Sequence, residues 1–157
     1  EMKKPNQIRK ALEESNPFFV QNPDSLQLYT DGGQVICTGA KSLSYEYRYT
    51  LNIIVTDYAD DIARIIVPVL AYLRVNQPEL FENPQRRENG FKFITDYNNN
   101  DTLDLSLEIQ LTERVVQKTN ADGDVILQYA PEPTWGEPES IRVYLETEEN
   151  LILESKK

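Results

Sequence analysis

The stretch LSYEYRYTLNIIVTDYADDIARIIVPVLAYLRVNQP, from Leu43 to Pro78, decides the fold. Its first half alternates between aromatic or aliphatic residues and mostly polar ones. This predicts a long strand over Ser44–Thr56 with one buried face, because side chains on a strand point to opposite sides with a period of two. In the second half, apolar residues recur three or four positions apart, which is typical of an amphipathic helix, here over Asp60–Val75. The domain is therefore predicted to centre on one long strand and one helix.

Pro68 lies inside this helix, where a proline removes one backbone hydrogen bond and crowds the carbonyl of the residue four positions earlier. We therefore expect a kink near Arg64 or a restart of the helix at Val67. A second helix is predicted over Pro5–Ser15, because proline suits the first helical position and the apolar residues form one stripe. The three residues 18–20 are expected to pack back on the core.

A second long strand is predicted over Leu103–Val116, where apolar and polar residues again alternate. Glu113 falls on its apolar parity, so either the strand leaves the core there or a bulge resets the register. Together these elements predict an α+β fold, with a mostly antiparallel β-sheet and two helices packed on one face.

Two connecting segments complete the prediction. Short strands over Leu26–Tyr29 and Val35–Thr38 are expected to form a hairpin around the turn signal Asp31-Gly32-Gly33. The segment Glu79–Asn89 is polar and contains Pro84, which predicts an exposed loop.

A length of 157 residues favours a single domain over residues 1–157. Residues 131–138 are proline-rich and predict an extended connector, and residues 139–157 predict a C-terminal hairpin or an acidic tail. No apolar run approaches the ~20 residues that a membrane helix needs, so no membrane contact is predicted. Cys37 is the single cysteine. It is predicted to be a small buried hydrophobe, and one cysteine excludes an intramolecular disulfide, as expected in a reducing cytoplasm.

The chain is strongly acidic, with a net charge of −10 from 26 acidic and 16 basic residues. A free-standing nucleic-acid binder normally has the opposite sign, because its affinity for phosphates comes from Lys and Arg. The acidic charge is accounted for by an ordinary solvated surface or by a surface that repels DNA.

Candidate chemistry is sparse. The absence of histidine removes the commonest general base and most zinc sites. Asp96, Asn98 and Asn100 match the first, third and fifth positions of a calcium loop, but Asp101 and Leu107 replace its glycine and its closing glutamate. A hairpin turn rich in Asn is the better account. No catalytic residue, metal site or cofactor is therefore predicted.

Three tyrosines, Tyr45, Tyr47 and Tyr49, offer rings on which bases could stack. Their spacing is explained more simply by one face of a strand packed against the core.

Several blocks of the sequence resemble the family of phage tail completion protein R (GpR), found in temperate phages with contractile tails and in their prophages. The resemblance runs from about Lys3 to about Glu137, in the family's order and with similar spacing. Its blocks are NPDSLQLYTDGG (Asn22 to Gly33), SLSYEYRYTLNIIVTDY (Ser42 to Tyr58), IVPVLAYLRVNQPEL (Ile66 to Leu80), GFKF (Gly90 to Phe93), DLSLEIQLTERV (Asp104 to Val115) and the pair Glu132-Pro133.

The resemblance implies a virion assembly protein without catalytic activity, which completes the head-proximal end of a tail already built from tube and sheath. It also implies the α+β fold of tail terminators and a homo-oligomeric ring, typically of six copies. Its partners would be tail tube, sheath or connector proteins, with assembly in the bacterial cytoplasm and DNA passing the lumen without specific binding.

For the interface between subunits we expect Arg48, Glu113 and Arg114, charged residues on or at the ends of the two long strands. The edge of Ser44–Thr56 is expected to offer one route to strand addition. Two alternatives remain open. One is an assembly chaperone absent from the finished virion, and the other is a metal-dependent enzyme with a carboxylate-only site.

Overall fold

The computed structural model describes residues 2–37, 41–131 and 140–155. In these residues an antiparallel sheet of five strands has the order β1-β2-β4-β3, and β5 pairs with the far end of β4. Its strands are β1 (Leu26–Cys37), β2 (Tyr45–Tyr58), β3 (Phe91–Tyr97), β4 (Leu103–Thr119) and β5 (Val125–Tyr129).

Helices cover one face of this sheet, and the predicted α+β fold is confirmed. The helices are α1 (Lys4–Ser15), α2 (Pro17–Gln21), α3 (Ala63–Asn76), α4 (Glu79–Glu82) and α5 (Pro84–Asn89). Strands β6 (Ile141–Tyr144) and β7 (Leu151–Ser155) form a separate hairpin that contacts α3. No helix among the described residues has the length and apolar character needed to cross a membrane.

The core lies between α1, α3 and the odd-numbered residues of β2 and β4. Leu51 and Ile53 are fully buried opposite Ile109 and Leu107, while Arg48 on the other parity is exposed. The register read from the alternation is therefore confirmed. This register is strongly specified, because a slip of one residue would turn the even-numbered, mostly polar positions of these strands toward the core.

α3 is one helix from Ala63 to Asn76, with Pro68 inside it and buried. The predicted restart at Val67 is therefore wrong. Pro68 lies in the second turn, so it removes one bond, to the carbonyl of Arg64, while the rest of the helix is anchored by its buried face.

β1 is a single strand, and the predicted hairpin around Asp31-Gly32-Gly33 is wrong. Thr30 pairs with Leu51 and Gly33 pairs with Tyr49, so two residues of β1 oppose one residue of β2. This is a β-bulge, and Gly32 has the positive φ of 85° that such a bulge places on glycine. The turn signal was real, but β2 is long enough to pair with the residues on both sides of it.

The segment Glu79–Asn89 is also different from its prediction, because it contains α4 and α5 instead of a loop. The side chain of Asn83 accepts hydrogen bonds from the N–H groups of Gln85 and Arg86, and Pro84 occupies the first turn of α5. A capping Asn followed by Pro is a helix start, which the polar composition concealed.

Three further expectations are wrong. Val20 and Cys37 are exposed, the first on the outer side of a short helix and the second at the end of an edge strand. β2 is not an edge strand, because β1 and β4 pair with its two sides.

One side of β4 is covered by two short strands that leave a gap. β3 pairs with residues up to Ile109, and β5 pairs with residues from Val115 onward. In the gap, the Oε1 atom of Gln77 accepts the N–H of Thr112 at 3.1 Å, and the Lys4 ammonium donates to the Thr112 carbonyl at 2.6 Å. Two side chains thus take the place of a missing strand, and Gln77 is fully buried.

We expect Gln77→Ala to lower the free energy of unfolding by about 1–3 kcal/mol, because the buried N–H of Thr112 would lose its acceptor. Urea unfolding at pH 7 measures this loss. The control Gln85→Ala replaces an exposed side chain on α5 and should change stability by less than about 0.5 kcal/mol. Equal stability of the two variants would show that the bond to Thr112 is dispensable.

Candidate interaction surfaces

Two of the three residues predicted at the interface lie together on the face of the sheet opposite the core. Arg48 on β2 pairs with Thr112, and Arg114 on β4 lies opposite Glu46. Both arginines are exposed, and the Nε atom of Arg48 is 2.7 Å from the Oε2 atom of Glu46. The strand register therefore places two cations around one acid on an open sheet face.

Arg86 adds a third cation to this face, although α5 lies far from β2 in the sequence. It shares a surface cleft of about 240 Å³ with Arg48, Thr50 and Gln110. Its Nη1 atom is 2.7 Å from the Oε1 atom of Glu79. We call Arg48, Arg86 and Arg114 the arginine patch. No local pattern in the sequence indicates that Arg86 lies near β2, because the two segments are brought together only by the fold.

Glu113, the third predicted interface residue, is buried in the isolated chain, with 4% of its surface exposed. Its carboxylate accepts the Lys3 N–H at 2.7 Å and the Tyr49 hydroxyl at 2.6 Å. The sequence predicted that the strand leaves the core at this position or that a bulge resets its register. Both alternatives are wrong, since β4 continues without a bulge and stays in the core. Glu113 therefore fixes the start of α1 to the sheet and presents no charge to the surface.

The carboxylate of Glu113 also acts on Tyr49. Burial and the hydrogen bond to Glu113 raise the pKa of the Tyr49 hydroxyl far above its usual value. Burial likewise raises the pKa of Tyr58, and the hydrogen bond between the hydroxyls of Tyr45 and Tyr47 raises the pKa of Tyr45 to about 12.

The side chains of the Asn-rich turn after β3 form hydrogen bonds with one another and with the strand that follows. The Nδ2 atom of Asn98 donates to Thr102 at 3.0 Å and to Asp104 at 3.1 Å. The Asp57 N–H and Asn98 hold the pKa of Asp104 below its usual value. Across the described residues, no three His, Cys, Asp or Glu side chains are grouped to hold a metal ion. The polar atoms of this turn thus serve the turn itself.

Comparison with known protein families shows which family the chain belongs to. The family model for P2 phage tail completion protein R (GpR) matches residues 2–133. The chain belongs to this family. It is also 42% identical to tail completion protein R of Escherichia phage P2 over 137 residues, which cover 87% of this chain and 88% of that protein. No solved structure gives a significant match.

Membership of the tail completion family gives the chain a non-enzymatic role in phage tail assembly, in which it interacts with other tail proteins. The expected family is thereby confirmed. The family lends no support to the alternative of a carboxylate-only enzyme. The arginine patch and the open edges of the sheet are the candidate surfaces for these interactions.

The raised tyrosine pKa values predict how stability depends on pH. An unfolded tyrosine titrates near pH 10. Because folding raises the pKa, it favours the neutral phenol, so this stabilisation is complete below about pH 10 and is lost as the pH rises through the folded values. We expect the free energy of unfolding to fall above about pH 10.

The variant Tyr49→Phe separates the two roles of this hydroxyl. At pH 7 it should be less stable by about 1–3 kcal/mol, because one buried oxygen of Glu113 loses its donor. Above about pH 10 it should lose stability less steeply than the parent protein, since one titrating group is gone. Urea unfolding from pH 7 to 11 measures both effects, with Tyr97→Phe at an exposed hydroxyl as control for stability at pH 7. A decline as steep as that of the parent would contradict the assignment.

Proposed function

We propose that the chain completes the head-proximal end of a contractile phage tail as a homo-oligomeric ring of six copies. The ring joins tail tube, sheath or connector proteins to the head and remains in the finished virion after assembly in the bacterial cytoplasm. Support comes from membership of the tail completion family and from the identity with the phage P2 protein. The ring and the number six follow the resemblance to tail terminators.

The arginine patch is the observation that carries the proposed interface. In a chain with a net charge of −10, three arginines share one open face of the sheet. The chain has 26 acidic and 16 basic residues, so an acidic surface of another copy or of a tail protein would complement this patch, in which Arg48 and Arg86 are also paired with Glu46 and Glu79. Such complementarity guides partners together and fixes their register. Arg48 and Arg114 remain the proposed contact residues, whereas Glu113 is buried in the isolated chain and is no longer proposed as one.

The net charge suits a channel for DNA. Ten excess negative charges per chain amount to about 60 around a ring of six, if none is neutralised. A lumen with this charge repels the phosphate backbone, so the passing genome binds nowhere along it. The assembly chaperone remains the competing role, and mass spectrometry of purified virions separates the two: a stoichiometric amount of the protein supports the ring, and its absence supports the chaperone.

Charge reversal at the patch tests the interface. Arg48→Glu and Arg114→Glu should fold normally, because both side chains are exposed. They should lower the yield of infectious particles by ~10-fold or more, since like charges placed opposite each other cost several kcal/mol. Circular dichroism and thermal unfolding check folding, and plaque titres check joining. Lys10→Glu on the exposed side of α1 is the control. Normal titres for both patch variants would place the interface elsewhere.

Ionic strength tests the self-association. Copies of an acidic chain repel at low salt, where the Debye length is about 30 Å at 0.01 M, and much less at 1 M, where it is about 3 Å. We expect the free protein to be monomeric at low salt, with a mean mass that rises with NaCl concentration. Sedimentation velocity over this range measures it, and dissociation on adding salt would contradict the expectation that net repulsion between copies outweighs attraction at the arginine patch.

A further inference from the structure

An apolar groove lies between α3, α4 and β3, on the core side of the edge strand. Seven apolar side chains and two arginines line its volume of about 340 Å³, and none of these described lining residues is acidic. Leu70, Phe81 and Phe93 are among the apolar residues, and Arg86 and Arg87 are the two arginines. Phe93 is 56% exposed. In a protein with this excess of acids, such a groove is suited to an apolar segment that carries negative charge.

The groove adjoins an open edge of the sheet. No described strand pairs with the outer side of β3. The Gly90 carbonyl accepts the N–H of Gln110 on β4, and residues of an antiparallel ladder alternate in direction. The backbone groups of Phe91, Phe93 and Thr95 therefore point away from β4. An added strand would find hydrogen-bonding partners at this edge and an apolar groove beside it.

A second feature of the same chain has complementary chemistry. Beyond Val115, β5 is the one described strand that pairs with β4, which makes a two-stranded ribbon of residues 116–129 that we call the arm. Gln117 at its base still bonds to Leu43 and Ser44. Val125, Ile126 and Leu127 on the arm are all exposed, and its turn carries the acids Asp122 and Asp124. An isolated two-stranded ribbon is marginally stable in water. Apolar side chains exposed on both of its faces indicate a ribbon that binds a partner.

We infer that the arm of one copy docks in the groove of a neighbouring copy. β5 adds to the open edge of β3, Leu127 enters the apolar groove, and the acids of the turn face Arg86 and Arg87. This contact rests on the homo-oligomer proposed above and identifies the segments that join it. Three observations carry it. The groove is lined by apolar residues and two arginines, of which Arg86 is paired with Glu79. The arm exposes apolar residues, and its two acids outnumber its one base, Lys118. No described strand pairs with the outer edge of β3 or of β5.

The contact joins two different surfaces, so it is heterologous and repeats from copy to copy until a ring closes. Arg86 lines the groove and also belongs to the arginine patch. The docked arm would therefore border the arginine patch. The groove and the patch would then form one continuous surface for contacts with neighbouring subunits.

Engineered cysteines test this arrangement in the full chain at high salt. In a Cys37→Ser background, Leu127→Cys and Phe93→Cys are combined, and the protein is oxidised and separated without reductant. We expect a ladder of linked species that extends beyond the dimer and ends at the ring size, because the contact repeats head to tail. The matched control combines Val35→Cys with Phe93→Cys, two exposed residues on opposite edge strands, and should give little product.

The variant Leu127→Asp gives a second measurement that involves no new cysteine. It should fold normally and lower the mean mass at high salt, whereas Val20→Asp, at an exposed apolar residue on α2, should leave the mass unchanged. Oligomers that form without an arm-to-groove link, or a ladder that ends at the dimer, would overturn the inference and leave the ring to another contact. A chain that stays monomeric at every salt concentration and is absent from virions would overturn the proposed function as well.

Discussion

The rest of the structure depends on the way in which the backbone of β4 is satisfied. This strand of 17 residues lies in the middle of the sheet, yet the strands on one of its sides leave Thr112 without a neighbour. A buried N–H and C=O without partners would destabilise any fold. Gln77 and Lys4 fill that position, and Lys4 also donates to Gln77 at 2.6 Å.

These bonds connect segments that are distant in sequence. Lys4 begins α1, and Gln77 ends α3. The Nε2 atom of Gln77 donates to Glu79, which in turn accepts from Arg86 on α5. α1, α3 and the two short helices that follow α3 are therefore connected to Thr112 on β4. Arg86 reaches the open face of the sheet because this network holds α5 at the edge, so the arginine patch depends on the buried polar core.

The same gap separates the two surfaces that we assign to self-assembly. β3 begins on one side of Thr112 and β5 ends on the other, so the groove beside β3 and the arm built on β5 are distinct features of one sheet edge. An open edge is a hazard for aggregation unless it is blunted or used. On β1 the bulge at Gly32 disturbs the edge, whereas β3 is regular and carries exposed Phe93 and Tyr97. The uneven protection is consistent with an edge that is kept for a partner.

The sequence by itself determined the two long strands, the register that buries Leu51 and Leu107, the α3 helix and the family. Alternation with a period of two and the helical stripe are local signals, and they were strong here because each element has one buried face. The tertiary structure alone decided where Glu113 lies, since its burial requires a Tyr49 hydroxyl and a Lys3 N–H from distant segments. It also decided that β1 is one strand, because pairing with β2 overrides a local turn signal. The arginine patch, the groove and the arm likewise come from the order of the strands, which a linear pattern of residues does not specify.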